Sequence, residues 1–261
     1  MDQKVISQPS PAKRAKPARK KPLAKGRDAR PLYQQVDNII RKRLIDNVWA
    51  PGTALPSEMQ LAAELKVSQG TVRKALNDLV AENLLYRRQG LGTFVSEHTE
   101  RRSLFLYFNL VADDGSHQLP VSRILTCDYA VARDRERDRL QLEPGDEVIR
   151  FTRARSFKDE PVIYETVTLP RKLFPGLGAE VDIPDHLYRF YQTVYGITVV
   201  KADEHARAVA ATAEEACVLG IAEGAPLLEI DRIALTLDSR PVEWRLSRCN
   251  TEHCYYRAER G

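Results

Sequence analysis

The sequence predicts an α+β chain of two units, and three observations carry that prediction. Three short helical patterns, the last two almost abutting, precede a glycine-bearing hairpin pattern, all before residue 97. Beyond residue 103, a pattern of helix, glycine turn and β-hairpin occurs twice, 79 residues apart. The whole chain has 261 residues, 43% hydrophobic and 29% charged, an ordinary balance for one large or two modest domains. The uncharged run Leu104 to Ala112, like every other in the chain, is far short of the roughly 20 apolar residues of a membrane span. The basic N-terminus has no apolar signal core. Four cysteines are too few for a disulfide scaffold. These features exclude a membrane protein and a secreted mini-protein, and the expected compartment is the cytoplasm.

Charge is uneven along the chain. Residues 1–30 hold ten basic side chains against Asp2 and Asp28, although the net charge of the whole chain is only +4. Four prolines and almost no large apolar residue make this stretch an expected disordered tail. It suits a polyphosphate partner, through counterion release, as well as it suits a plain solubility tail.

Folded structure is expected from residue 31. Leu32, Val36, Ile39, Ile40 and Leu44 form one apolar stripe at helical spacing, and Pro51-Gly52 should stop that helix. Ser57 and Gln60 have the spacing of an N-cap and its capping-box partner, opening a second helix that runs to Lys66 with Leu61, Ala62 and Leu65 inward. Val67 then sits in a tight turn, and Ser68 caps a third helix whose buried face is Val72, Ala75, Leu76 and Leu79. Two helices joined this closely are a helix-turn-helix. Gln69, Arg73, Lys74 and Asn77 project from the opposite side of the third helix, with Thr71 near its start. Arginine suits guanine, glutamine and asparagine suit adenine, and threonine suits a thymine methyl or a phosphate, so this face fits a major-groove reader. The run Leu84–Arg88, the turn Gln89-Gly90-Leu91-Gly92 and the run Thr93–Val95 make a hairpin, with Arg87 and Arg88 at its base, able to lie on a minor groove or phosphates. The plainer alternative is an interaction module. It fits less well, because the positive charges gather on the third helix and the hairpin.

The pattern PLYQQV…LPSE…LA…VSQGTVRKAL…ENLLYRRQGLGTFV over residues 31–96 resembles the winged helix-turn-helix domain of the GntR superfamily of bacterial transcription regulators. The resemblance implies operator DNA as partner, contacted by Ser57, Ser68, Gln69, Gly70, Thr71, Arg73, Lys74, Arg88, Gln89, Gly90, Gly92 and Thr93. Met59 and Gln69 stand where the family usually has arginines.

A polar linker is expected over residues 97–103. The second unit then spans 104–261. Leu140…Gly145…Val148…Arg153 matches Leu219…Gly224…Leu227…Arg232, and the turns at Pro161-Val162 and Pro241-Val242 continue the match. Strand-like runs at Ile124–Ala132 and Val199–Ala210 precede the copies, and a helix should start near Pro184, with Asp185 a possible cap. The expectation is a mostly antiparallel sheet with approximate two-fold symmetry and a ligand cleft between repeats. RARSFKDEPVIYE, HLYRFYQTVYGI, LGIAEGAPLLEIDR and SRPVEW further resemble the UTRA domain of the HutC branch, a chorismate lyase-like α/β effector-binding fold.

That resemblance implies a homodimer, a small-molecule effector and a binding set of Arg153, Arg155, Glu165, His186, Tyr188 and Glu243. The two arginines would hold an anionic group. The competing reading of Arg153 and Glu165 is a cross-strand ion pair on a solvated face. His186 replaces the family's usual serine, and Cys249–Glu252 replaces its Tyr-Arg-Gly-Asp segment. A carboxylate or nitrogenous metabolite is therefore expected rather than a sugar phosphate. Cys249, His253 and Cys254 lack a fourth metal ligand nearby, so neither metal nor cofactor is expected. Cys127 and Cys217 are read as core residues. An enzyme acting on an aromatic carboxylate is the alternative function. The fused DNA-binding unit favours a sensor, most simply a repressor on a palindromic operator.

Overall fold

Local signals set the first helices. In a computed structural model, which describes residues 30–98, 109–115 and 120–257, α1 spans Leu32–Ile45 and buries Val36 and Ile40. Leu32, expected inward, is exposed; it is the first residue of the helix, a turn away from the core that begins with Val36. The helix stops at Ile45, before Pro51-Gly52, and Asn47 turns the chain in a left-handed conformation with φ 49°. Helix α2, Glu58–Leu65, opens with the expected capping box of Ser57 and Gln60 and ends on left-handed Lys66. Ser68 caps α3, Gln69–Ala81, by accepting from Thr71 N. Strands β1, Leu85–Arg88, and β2, Gly92–Val95, pair antiparallel as the wing. The core of this unit is Val36, Ile40, Leu61, Val72, Leu76, Leu79 and Leu85, and Val200 and Leu237 of the second unit pack against it.

The second unit is built on a six-stranded antiparallel sheet. Its strands are β4 (Val121–Val131), β5 (Glu147–Phe157), β6 (Glu160–Pro170), β7 (Val199–Ala210), β8 (Pro226–Thr236) and β9 (Pro241–Cys249). Their spatial order, β4-β5-β6-β9-β8-β7, reads outward as the same hairpin-plus-edge arrangement on both sides of the β6–β9 pair. The sequence repeat is therefore a structural two-fold: helix α4, Asp134–Leu140, corresponds to α6, Ala213–Leu219, and β5 to β8. Helix α5, Leu187–Val194, lies between the copies and covers one face of the sheet through Leu187, Tyr188 and Tyr191. The other face is covered by α4 and α6. A small pair, β3 (Leu110–Ala112) with β10 (Cys254–Tyr256), completes the described elements.

Several expectations are corrected. Asp185 does not cap α5; its Oδ1 accepts from Ser122 N at 2.7 Å and ties the helix entrance to edge strand β4. Cys127 and Cys217 are exposed, whereas Cys249 and Cys254 are buried. Cys127 lies on an edge strand and Cys217 on the outer side of a short helix, so apolar neighbours in sequence do not bury them. Within the expected linker, Glu97 is exposed but His98 is buried, its N–H donating to Gln192 Oε1 of α5 at 2.9 Å. Of the expected tail over 1–30, all but Arg30 lies outside the described residues, as do the linker beyond His98, 116–119 and 258–261. Among the described residues, no helix is long and apolar enough to cross a membrane.

The two repeat helices end differently. Gly220 closes α6 at φ 68°, while Gln141 takes the equivalent left-handed position after α4 at φ 52°. A side chain there costs about 1 kcal/mol that glycine avoids. Gln141→Gly should therefore raise thermal stability by about 2–4 °C in a unit of this size, and Gly220→Gln should lower it by a similar amount. Melting both variants by circular dichroism checks this; a lower melting temperature for Gln141→Gly contradicts it.

Candidate nucleic-acid interface and effector site

The outer face of α3 presents Gln69, Arg73, Lys74 and Asn77 to solvent. A residue the sequence reading missed, Glu58 in the first turn of α2, organises them. Gln69 Nε2 donates to Glu58 Oε2 at 3.2 Å, Arg73 Nε donates to the same oxygen at 2.9 Å, and Arg87 of the wing donates to Oε1 at 3.3 Å. Arg87 also donates to Asn77 Oδ1 at 2.7 Å. One carboxylate thus fixes the spacing of helix and wing. Lys74 Nζ lies 3.6 Å from the centre of the Tyr33 ring, a cation–π contact that holds it against α1.

Ser57 and Ser68 are spent on capping; Ser68 Oγ also lies 2.8 Å from Thr71 Oγ1. A methyl group on Gly70 would meet only Ser68 Oγ, at 3.9 Å, so the fold makes no demand for glycine there. Arg88 lies over the stacked rings of Tyr86 and Phe94 at the base of the wing. Gln89 and Gly90 form the exposed wing tip with Leu91, while Gly92 and Thr93 start the return strand. Gly90 and Gly92 have φ 72° and 112°, conformations that favour glycine. Thr93 turns its carbonyl inward to accept from Leu55 N. Of the set predicted from sequence, Gln69 and Arg73 are brought together by Glu58, which Arg87 joins, while Arg88 lies on the other face of the wing.

The second cluster lies on the sheet face under α5. Cross-strand register places Arg153 beside Glu165, Glu165 beside Ser247, and Arg245 beside Arg232. Arg153 Nε donates to Glu165 Oε2 at 2.6 Å, and Ser247 Oγ donates to Oε1 at 2.9 Å. Arg245 Nη1 and Arg155 Nη1 approach the same carboxylate at 3.6 and 3.9 Å. The Arg153–Glu165 pair is cross-strand as anticipated, but it is buried, at 1% and 2% exposure, rather than solvated. Burial alone would push the Glu165 carboxyl up; the guanidiniums of Arg153, Arg245 and Arg155 outweigh it and hold the carboxyl below its ordinary range.

Glu243, fully buried, accepts from Tyr188 Oη at 3.1 Å, Tyr191 Oη at 2.8 Å and Arg245 Nη2 at 2.7 Å. Burial and then Glu243 raise both tyrosines, so each hydroxyl keeps its proton and donates it. Arg232 pairs with Glu204, which also accepts from Tyr256 Oη. Burial, and then the neighbouring Arg153, disfavour the charged form of Arg155.

A recess of about 20 Å³ opens at this cluster, lined by Arg155, Glu165, Arg232, Arg245, Ser247 and Tyr256, among others. That is about the room of one water molecule, so the arginines and Glu165 close on one another. Four of the expected effector residues do not line it: Arg153 lies behind Glu165, Tyr188 and Glu243 lie under α5, and half-buried His186 sits at the α5 N-terminus. The reason is geometric. Arg153 reaches Glu165 directly across the strand pair, which leaves Arg155, two residues on, to face the recess. Arg232 and Arg245 were missed, although the repeat aligns Arg153 with Arg232 and so points to a second arginine on the symmetric strand.

Comparison with known proteins agrees with both units. The model of bacterial regulatory proteins of the gntR family matches residues 32–95, and that of the UTRA domain matches residues 116–254. The mannosyl-D-glycerate transport/metabolism system repressor MngR of Escherichia coli (strain K12) is 31% identical over 85% of this chain and 93% of its own. The HTH-type transcriptional repressor NagR of Bacillus subtilis (strain 168) is 33% identical over 77% of this chain and 83% of its own. Among solved structures, the ligand-binding domain of a GntR-family transcriptional regulator from Bordetella bronchiseptica is 35% identical, with a TM-score of 0.55, over 60% of this chain and 98% of its own. With a gntR domain followed by a UTRA domain, and with regulators of that family matched over most of both chains, this chain belongs to the GntR family of bacterial transcription regulators.

Proposed function

We propose that this ligand-responsive DNA-binding regulator is a cytoplasmic homodimeric repressor, released from a palindromic operator by a small anionic metabolite. The observation that carries the reading is one chain with two different cationic sites. One is an exposed helix face ordered by Glu58. The other is a buried cluster around the recess, in which Arg153, Arg155, Arg232 and Arg245 outnumber the carboxylates Glu165, Glu204 and Glu243. A buried surplus of positive charge is costly without an anion and favourable with one. A carboxylate suits the bidentate forks of the arginines, and the name of MngR refers to a sugar joined to a carboxylate, glycerate. Turnover is not part of the proposal; the relatives are regulators, and a sensor returns its ligand unchanged.

For DNA, Arg73 and Lys74 supply the reading side chains, Ser57, Ser68, Gly70 and Thr71 the close approach at helix starts, and Arg88, Gln89, Gly90, Gly92 and Thr93 the wing. Arg73→Ala should lower affinity for the operator about tenfold to a hundredfold, the effect of one lost base contact, while changing affinity for random DNA much less. Glu58→Gln should do the reverse, raising affinity for random DNA by freeing Arg73 and Arg87 from a carboxylate. Gel-shift titrations on both DNAs at one salt concentration check this; equal losses on both DNAs for Arg73→Ala contradict it.

For the effector, a thermal-shift screen of small carboxylates, amines and sugar phosphates should return acids. A hexosamine phosphate binding at low micromolar affinity contradicts the carboxylate assignment. Arg155→Met should weaken the hit at least tenfold without lowering the melting temperature of the free protein, because the charge of Arg155 is disfavoured where it lies. Arg153→Ala should instead destabilise the fold by about 3–5 kcal/mol, since it leaves Glu165 buried without its closest partner. Calorimetry and melting of the two variants separate a ligand contact from a structural pair. Undiminished binding by Arg155→Met would remove it from the site.

A further inference from the structure

A second recess, of about 120 Å³, lies where the winged helix meets the effector unit. Leu44, Trp49 and Leu84 form one wall, and Ile197, Val199 and Leu237 form the other. The polar lining includes Asn83, Thr198 and Thr236. It also includes Ser96, only 8% exposed, whose Oγ has no hydrogen-bond partner among the described residues. A buried hydroxyl without a partner is a cost that a ligand donor or acceptor removes. The exposed rim carries the carboxylates of Glu97 and Asp238 against the single guanidinium of Arg240. This is the opposite charge balance from the arginine recess. Apolar walls with a few placed polar groups are the usual make-up of a small-molecule site, and domain junctions are a usual location; a volume of about 120 Å³ suits a single ring system.

We propose that this crevice is a second ligand site, for a neutral or cationic aromatic molecule that bears one hydrogen-bonding group, separate from the anion recess. The flat apolar part fills the space between Trp49 and Leu237, the polar group meets Ser96, and an amine substituent meets the rim carboxylates. Since the two walls belong to different units, a bound molecule holds them in one relative pose. Next to the crevice, Gln192 Nε2 donates to Thr198 Oγ1 and Gln192 Oε1 accepts from His98 N, so the ligand sits against the joint between α5 and the wing.

The test uses the full chain without DNA, so its outcome does not depend on the operator reading. Tryptamine, indole and indole-3-acetate share one ring and carry a positive, zero and negative charge. Calorimetric titration should show saturable binding of tryptamine and indole at one site per chain, with indole-3-acetate at least tenfold weaker. Leu237→Trp, which fills the crevice, should abolish tryptamine binding. Ser96→Ala should weaken it about threefold to tenfold while leaving the melting temperature unchanged or higher. Absence of saturable binding of either preferred probe overturns the proposal. So does equal binding of indole-3-acetate, or tryptamine binding that survives Ser96→Ala undiminished.

Discussion

The Glu165 carboxylate, buried near the middle of a six-stranded sheet, constrains most of what surrounds it. A charge so placed is tolerated only with close counter-charges and filled lone pairs. Arg153, Ser247, Arg245 and Arg155 supply these from the strands on either side. Each of those arginines is in turn buried, so a second tier of partners is required: Glu243 for Arg245, and Glu204 for Arg232 beside it. The outcome is a polar layer between an apolar sheet and an apolar helix that is close to balanced but carries excess guanidinium. An anion would neutralise it, and under the proposed function the same residues that hold the sheet together would also form the ligand site.

Helix α5 is where that layer meets the rest of the molecule. Its inner face, Tyr188 and Tyr191, donates to Glu243. One residue beyond Tyr191, Gln192 accepts from the backbone of His98, just past the wing strand β2. One path from recess to DNA-reading unit therefore runs through an eight-residue helix and the Gln192 side chain, beside the packing of Val200 and Leu237 on the first core. A ligand that drew Arg245 away from Glu243 would loosen the tyrosine contacts that seat α5, and with them the position of His98. Coupling of this sort is reciprocal: what effector does to operator affinity, operator does to effector affinity.

Much of the architecture was legible in the sequence because its signals are local. Ser57 with Gln60 and Ser68 with Thr71 cap helices as read, and the 79-residue repeat became the two-fold of the sheet. Partner choice across the sheet was less legible. Arg153 and Arg155 share a motif and, by alternation, a face, yet register sets Arg153 opposite Glu165 and Arg155 opposite Ile163, beside the recess. The repeat also hides a reversal. Arg150 pairs with Asp128 and Glu136, while at the equivalent place Glu229 pairs with Arg207. Two copies thus keep one geometry with opposite charges, which pattern matching of apolar residues does not reveal. Glu58 was within a quoted motif, but its role depends on the approach of α2, α3 and the wing, and no spacing in the chain encodes that. Cys127 and Cys217 were misread because apolar sequence neighbours are no guide to exposure on an edge strand or a short helix.

The account stands most directly on α5 as the link between recess and wing. The decisive measurement is operator affinity with and without a saturating concentration of the acid found by screening, for the unaltered protein and for Gln192→Leu. The unaltered protein should lose at least tenfold in operator affinity when the acid is bound. Gln192→Leu should bind the acid and the operator separately with near-normal affinity, yet lose less than threefold when both are present. Full release by the acid in Gln192→Leu would contradict the link and place the coupling elsewhere.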